Sequence, residues 1–183
     1  MKIDSSYTPL SLAILGLVSL GPQSGYGLRK TFSTTPMGHF SASPGAIYPA
    51  LRRLEQAGLI RGAIEKKNTL RPRKTYSMTE QGLKTLKRRL AAAITRHDIV
   101  WRLEELILRF AFTGEILGRT RSIDFLEELS SQIAQYVPDL REHVTIQREL
   151  GNVNGAYALE QGIAKYEATD RWARRVAKEL TEV

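Results

Sequence analysis

The 183-residue sequence contains no cysteine. That excludes disulfides and thiolate metal sites, and it suits a reducing compartment. Histidine is scarce and scattered: His39, His97 and His143 have no H-x-x-x-H spacing and no acidic companions that would hold a metal. No G-x-x-x-x-G-K-[ST], G-x-G-x-x-G or G-x-S-x-G element is present, so neither a phosphate-cradling loop nor a serine nucleophile elbow is available. "SGYG" at 24–27 is glycine-rich but lacks a preceding strand pattern, and it reads as a helix start. The acid pairs Glu104/Glu105 and Glu127/Glu128 fall on helix surfaces, where solvated charge is the ordinary role. No cofactor is called for, and an enzyme is not expected. Nor does any stretch approach the ~20 continuous apolar residues of a membrane span. The apolar run near the N-terminus is short, broken by serines and followed by no small-residue cleavage site. The expectation is a cytoplasmic protein with no membrane partner.

Acidic residues are also missing from one half of the chain. Residues 1–96 hold 16 Lys+Arg against Asp4, Glu55, Glu65 and Glu80, whereas residues 97–183 hold 11 Lys+Arg against 15 acids. The net charge of +8 is therefore a strongly basic half joined to a mildly acidic one. Such asymmetry points to a polyanion-binding module attached to something else. The alternative is an uneven but idle solvated surface.

Hydrophobic periodicity supplies the elements. In "TPLSLAILGLVSLGP", Thr8 caps, Pro9 suits the first helical position and Gly21-Pro22 stops the helix. Leu12, Ala13, Leu15, Leu17 and Leu20 leave it little polar face. A second helix follows Ser24, with Leu28 and Phe32 inward, and "TPMGHFSAS" reads as a loop. A third helix spans roughly 43–57, with Ile47, Leu51, Leu54 and Gly58 on its packed side. Pro49 leaves the Gly45 carbonyl without its usual donor, which predicts a bend or a loose first turn. "LIRGAIE" and "KTYSMT", joined by the basic "KKNTLRPR", form a hairpin. Thr79 then caps a fourth helix, with Met78 and Leu83 placed as a hydrophobic staple.

Three helices, a hairpin and a helix are the layout of a winged helix-turn-helix, whose second and third helices form the DNA-reading pair. Double-stranded DNA is the expected partner. Small residues at the leading end of the third helix, Ser43, Gly45 and Ala46, allow close approach to a groove. Exposed N–H groups and the helix dipole there favour phosphate. Tyr48, Arg52 and Arg53 supply a phenol and two guanidinium forks, and Ser24 and Tyr26 at the start of the second helix join the candidate set. Lys66, Lys67, Arg71, Arg73 and Lys74 put five cations around one hairpin. Competing readings stand beside these. Tyr48 packs against the first helix instead, Arg53 pairs with Glu55 or Glu80, and the hairpin cations serve solubility.

These residues resemble the signature blocks of the PadR family of bacterial transcriptional regulators. The closest points are Leu15-Gly16-Leu17, Gly25-Tyr26, the run from Ser43 through Ile47-Tyr48-Pro49 to Leu54-Glu55, Gly58-Leu59, and Arg71-Pro72-Arg73-Lys74 with Tyr76, Thr79 and Gly82. The match covers roughly residues 10 to 90. Pro44 departs from it, standing where an aromatic or polar residue is frequent. The tail "LEQGIAKYEATDRWARRVAKEL" is similar to the last helix of the subfamily with a three-helix dimerisation domain. The resemblance implies a homodimer that binds imperfect palindromes near promoters and usually represses. In some members it also implies release of DNA on binding phenolic acids or flat hydrophobic compounds.

The fold class expected is mainly α with a small β-hairpin: a winged helix-turn-helix over 1–96 and a helical dimerisation domain over 97–183. In the second region "HDIVWRLEELILRFAF" carries one wide apolar face, and Pro138 bends or divides the next helix. The last helix approximates a heptad seam through Ala156, Leu159, Ile163, Tyr166, Ala173, Ala177 and Leu180, interrupted by Asp170. Stripes this wide call for a partner chain, with Leu103, Phe110, Leu159, Ile163, Tyr166, Trp172 and Leu180 as dimerisation candidates. A monomeric three-helix bundle is the alternative. Two rival functions stand: a sensor with a small-molecule effector pocket near Trp101 and Phe110, and a winged-helix adaptor that binds protein. Trp101 otherwise belongs to the core.

Overall fold

A computed structural model of the chain describes residues 8–41, 43–65 and 73–182. The chain divides into two compact units, residues up to Ala91 and residues from Ala92 onward.

The first unit begins with α1 (Pro9–Ser19), where Thr8 Oγ1 accepts the Ser11 N–H at 3.2 Å. Leu12, Ala13, Ile14 and Leu15 are fully buried, because α1 packs against α3, α4 and a strand. Leu20, expected on its buried face, is 56% exposed just past the helix end. A two-residue strand, β1 (Gln23–Ser24), leads into α2 (Gly25–Thr34), which Ser24 caps by accepting the Gly27 N–H. Leu28 and Phe32 point into the core. The next segment is a 3₁₀ helix, Pro36–Phe40, rather than a plain loop. Pro36 presets its first turn, and a Cβ at Gly38 would stand 2.6 Å from the Phe32 carbonyl oxygen, so only glycine lets this turn lie on α2.

Next comes α3 (Pro44–Gln56), an uninterrupted α-helix despite Pro49. Its first turn is closed: the Ala46 and Ile47 N–H groups both donate to the Ser43 carbonyl, at 3.0 and 3.1 Å. The loose turn expected from Pro49 is thus not found. The carbonyl deprived of a donor belongs to exposed Gly45, one turn from the helix end, where water can take its place. Ile47, Ala50, Leu51 and Leu54 form the buried face. Gly58 is not on that face. It is exposed, with φ +69°, and it closes a Schellman motif in which Leu59 N–H donates to Leu54 C=O and Gly58 N–H to Glu55 C=O.

The sheet is antiparallel in the order β1-β3-β2, with β2 (Ile60–Glu65) and β3 (Arg73–Met78) as the hairpin. The register sets Gly62 opposite Tyr76 and Ile60 opposite Met78, while β1 pairs Gln23 with Tyr76. α4 (Glu80–Leu90) is capped by Thr79, which accepts the Gly82 N–H at 3.0 Å. Any side chain at Gly82 would run into the Leu59 carbonyl, so α4 starts directly on the backbone of the β2 entry.

The second unit is helical. α5 (Arg96–Trp101) opens with a capping box between Thr95 and Asp98. Arg102, with φ −137°, separates it from α6 (Leu103–Leu117), so the apolar face expected to be continuous is carried by two helices. α7 (Arg119–Glu149) runs unbroken through Pro138. Pro138 and Ala134, whose carbonyl loses its donor, are both exposed, where water is free to replace the lost bond, and the helix is not divided. Gly151, with φ +73°, closes a second Schellman motif and turns the chain into α8 (Val153–Glu182). α7 and α8 pack along their length, Leu126, Leu129, Ile133 and Val137 against Ala156, Ile163, Ala173 and Ala177. Asp170 does not break this seam. It accepts the Ser130 hydroxyl and the Arg174 guanidinium, which satisfies a carboxylate lying among small residues. Among the described residues no helix is long and apolar enough to cross a membrane, and no cluster of His, Asp or Glu could hold a metal ion.

Candidate nucleic-acid interface

The candidate residues of α2 and α3 meet at their leading ends. Gly25, the first residue of α2, has no side chain, and the Tyr48 ring occupies the vacated space: a Cβ there would stand 2.6 Å from Tyr48 Cε1. Tyr48 therefore lies on α2 and not in a core, and it stays 42% exposed. Tyr26, one residue further on, is 63% exposed, with the Arg29 guanidinium 5.7 Å from its ring centre. Ser24 is half-buried and occupied as the α2 cap.

On α3, Ser43 is the N-cap, its hydroxyl accepting the Gly45 N–H at 3.2 Å. Ser43, Gly45 and Arg52 are exposed and Ala46 is half-buried. Positions 45, 48 and 52 recur at helical spacing on one face, opposite the buried Ile47, Leu51 and Leu54. One surface thus carries two helix N-termini, two phenols and a guanidinium, a combination suited to phosphate oxygens and base edges.

The hairpin adds charge of a more ordered kind. Arg73 is exposed. Lys74 is tied down: its Nζ is 2.7 Å from Glu55 Oε2 and 5.2 Å from the Tyr76 ring centre. The hydrogen bond to Glu55 holds the Lys74 ammonium above its usual range, against the opposing effect of burial. Burial pushes the Tyr76 phenol up; the Lys74 charge opposes that, and Tyr48 and Arg52 act on the same hydroxyl. Neither pairing expected for Arg53 takes its acid, because Glu55 is held by Lys74 and Glu80 by Lys84. Lys66, Lys67 and Arg71 lie outside the described residues.

Sequence reading misses three parts of this surface. β1 is two residues long, too short for any periodicity. The Gly25–Tyr48 contact joins residues from different helices, and the Glu55–Lys74 pair spans 19 positions; the only local signals are the glycine and an acid in a basic stretch.

In the second unit, Leu103 and Ile163 belong to the core, each 8% exposed, while Phe110, Leu159, Tyr166, Trp172 and Leu180 are half-buried around it. Phe110 meets Trp172 edge-on at 5.2 Å, and the Tyr166 hydroxyl donates to the Ile99 carbonyl at 3.2 Å. Trp101 is 75% exposed, so the core role expected of it as an alternative to ligand binding is not found. Its helix, α5, is too short to bury both its faces. A groove of about 660 Å³ between α7 and α8 is lined by Ser130, Ser131, Arg174 and Thr181, among others, and by neither Trp101 nor Phe110.

A helix pair with meeting N-termini, beside a three-stranded antiparallel sheet ending in a hairpin, defines the first unit as a winged helix-turn-helix. Residues 14–88 match the model of the transcriptional regulator PadR-like family. The negative transcriptional regulator PadR of Bacillus subtilis is 28% identical over 128 residues, covering 69% of this chain and 68% of that protein. Among solved structures, B. subtilis PadR in complex with operator DNA is 21% identical, with 92% of this chain and 97% of that one covered at a TM-score of 0.44. The smu.1604c protein of Streptococcus mutans is 23% identical, with 96% and 98% covered at a TM-score of 0.40. The likeness to the PadR-like family of transcriptional regulators thus falls within the first unit.

Proposed function

We propose that the chain is a cytoplasmic repressor that binds a palindromic operator as a homodimer. The first unit reads DNA and the second joins two copies. The observation that carries this reading is the Gly25–Tyr48 contact, which sets the leading ends of α2 and α3 side by side on the basic unit. Tyr48, Gly45 and Arg52 enter the major groove from α3. Ser24, Ser43 and Ala46 lie beside the phosphates at the helix termini, Tyr26 flanks them, and the hairpin cations approach the neighbouring backbone. The repressing sign is supported by the negative regulator of B. subtilis that the chain resembles.

The half-buried Phe110, Leu159, Tyr166, Trp172 and Leu180 give the second unit an incompletely covered apolar margin, which a second copy would complete. In vitro selection of bound duplexes tests the whole reading. The expected product is a palindrome whose half-sites lie about one helical turn apart, ~34 Å, or a multiple of it. Recovery of no consensus, or of a single half-site bound by a monomer in light scattering, would overturn it.

A further inference from the structure

Glu55 is an acid in the last turn of α3, the helix that would enter the groove, where a negative charge repels phosphate. Its geometry gives it a different task. β2 is an edge strand, so the outward N–H of Gly62 has no neighbouring strand to bond, and Glu55 Oε1 accepts it at 3.1 Å. The other carboxylate oxygen, Oε2, takes Lys74 Nζ from β3 at 2.7 Å. One side chain of α3 thereby holds both strands of the hairpin.

Gly62 makes room for this. A Cβ at that position would collide with Lys74 Cε and would stand 2.6 Å from Glu55 Oε1. Tyr76, opposite Gly62 in the register, lies under the Lys74 ammonium. The pair is partly exposed, with side-chain accessibilities of 43% for Lys74 and 30% for Glu55. As a source of stability such a pair contributes little. As a geometric constraint it joins three elements.

We infer that the Glu55–Lys74 pair, seated over Gly62, is a strut that fixes the hairpin against α3, and that Lys74 serves DNA binding by positioning and not by a phosphate contact of its own. The inference rests on the DNA-binding reading above. It turns on a sign. If Glu55 acts only through its charge, removing that charge strengthens binding to a polyanion. If it is a strut, removing it weakens binding, because the hairpin cations lose their aim.

The test measures affinity of the full-length protein for the selected duplex across a salt series, with thermal unfolding followed by circular dichroism. Glu55→Gln is expected to lower affinity roughly tenfold and to reduce the slope of log affinity against log salt by about 1 for each phosphate no longer neutralised. Lys74→Met should give the same loss, and the double variant should be no worse than either single one. Gly62→Ala alters no charge, so a reduced slope there comes from geometry alone. Unfolding curves close to wild type keep these results from reflecting a damaged fold. Wild-type protein that binds no duplex at low salt defeats the DNA-binding reading itself. Wild-type protein that binds, with Glu55→Gln equal or tighter and Lys74→Met alone reducing the slope, overturns the strut and makes Lys74 a direct phosphate ligand.

Discussion

The two units handle charge in opposite ways. In the second, cations and acids neutralise one another across and along the helices: Arg141 with Glu167, Arg148 with Glu160, Lys165 with Glu104, Arg174 with Asp170 and Arg175 with Glu179. In the first, such neutralisation is impossible on numbers alone. Residues up to Ala91 hold 15 cations and four acids, and two of those acids, Glu55 and Glu80, are already engaged by Lys74 and Lys84. The first unit therefore keeps a surplus of positive charge, part of it on Arg29 and Lys30 of α2 and Arg52 and Arg53 of α3. The backbone, by contrast, is handled alike in both. Pro49 and Pro138 each sit inside a continuous helix, each beside a carbonyl that water can reach, and Gly58 and Gly151 close the two long turns with the same motif.

The sharpest way to break the contrast is at Arg52. Arg52→Ala is expected to cost ~1–3 kcal/mol of operator affinity if the guanidinium forks onto a base pair, and to relax preference at that position alone. Binding to selected and base-substituted duplexes measures both. An equal loss on every sequence would reduce Arg52 to a phosphate clamp and leave base recognition to Tyr48 and the α3 terminus.

The shared backbone device is tested next. Gly58→Ala and Gly151→Ala each force a Cβ into the left-handed region, at a cost of about 1–2 kcal/mol. Chemical denaturation should show losses of similar size. Neither new Cβ meets a steric clash, since at Gly58 it would lie in ordinary contact 3.4 Å from Gln81 Oε1 and at Gly151 nothing stands within 4 Å, so the backbone conformation alone sets both losses.

Much of this architecture is legible in the sequence because local chemistry decides it. Thr8, Ser24, Ser43 and Thr79 cap the four helices they precede, and each does so with a side-chain oxygen on a nearby N–H. The boundaries of α3 and α8 follow from apolar spacing. The site is less legible. Spacing places Tyr48 and Arg52 on one face but cannot say that Gly25 clears a seat for the Tyr48 ring. Prolines are easily over-read: the missing N–H removes one donor, but Gly45 and Ala134, whose carbonyls lose it, are both exposed residues. Trp101 misleads for a related reason. Its bulk suggests a core, but the six-residue α5 ends there and leaves it outside.

A smaller effect concerns the entry to the second unit. Burial alone would raise the Asp98 carboxyl, but hydrogen bonds from the Thr95 hydroxyl and backbone, with Arg109 and Arg102 nearby, hold it below its usual range. A depressed folded-state value adds stability above the unfolded pKa of ~3.9, and that stability is lost as pH falls through the lower, folded-state value. Asp98→Asn should therefore lower the melting temperature slightly at neutral pH and flatten its decline in acid. A variant with an unchanged acid profile would show that the capping box contributes no pH dependence.

The smallest expected effect is the most informative about the contrast itself. Arg141 and Glu167 are 64% and 37% exposed, a surface pair worth about 0–1 kcal/mol. Arg141→Gln removes one cation, as does a single neutralising change in the hairpin. Were the protein a uniform basic surface, the two changes would alter DNA binding alike. If charge in the second unit is internally neutralised and that unit serves assembly, Arg141→Gln should leave the salt slope unchanged. Replacing Arg71 and Arg73 together should reduce it by ~0.9 for each phosphate they neutralise. A fall in slope for Arg141→Gln matching that of a hairpin cation would place the second unit on the DNA as well. The division of labour between the units would then have to be redrawn from the phosphates that each one neutralises.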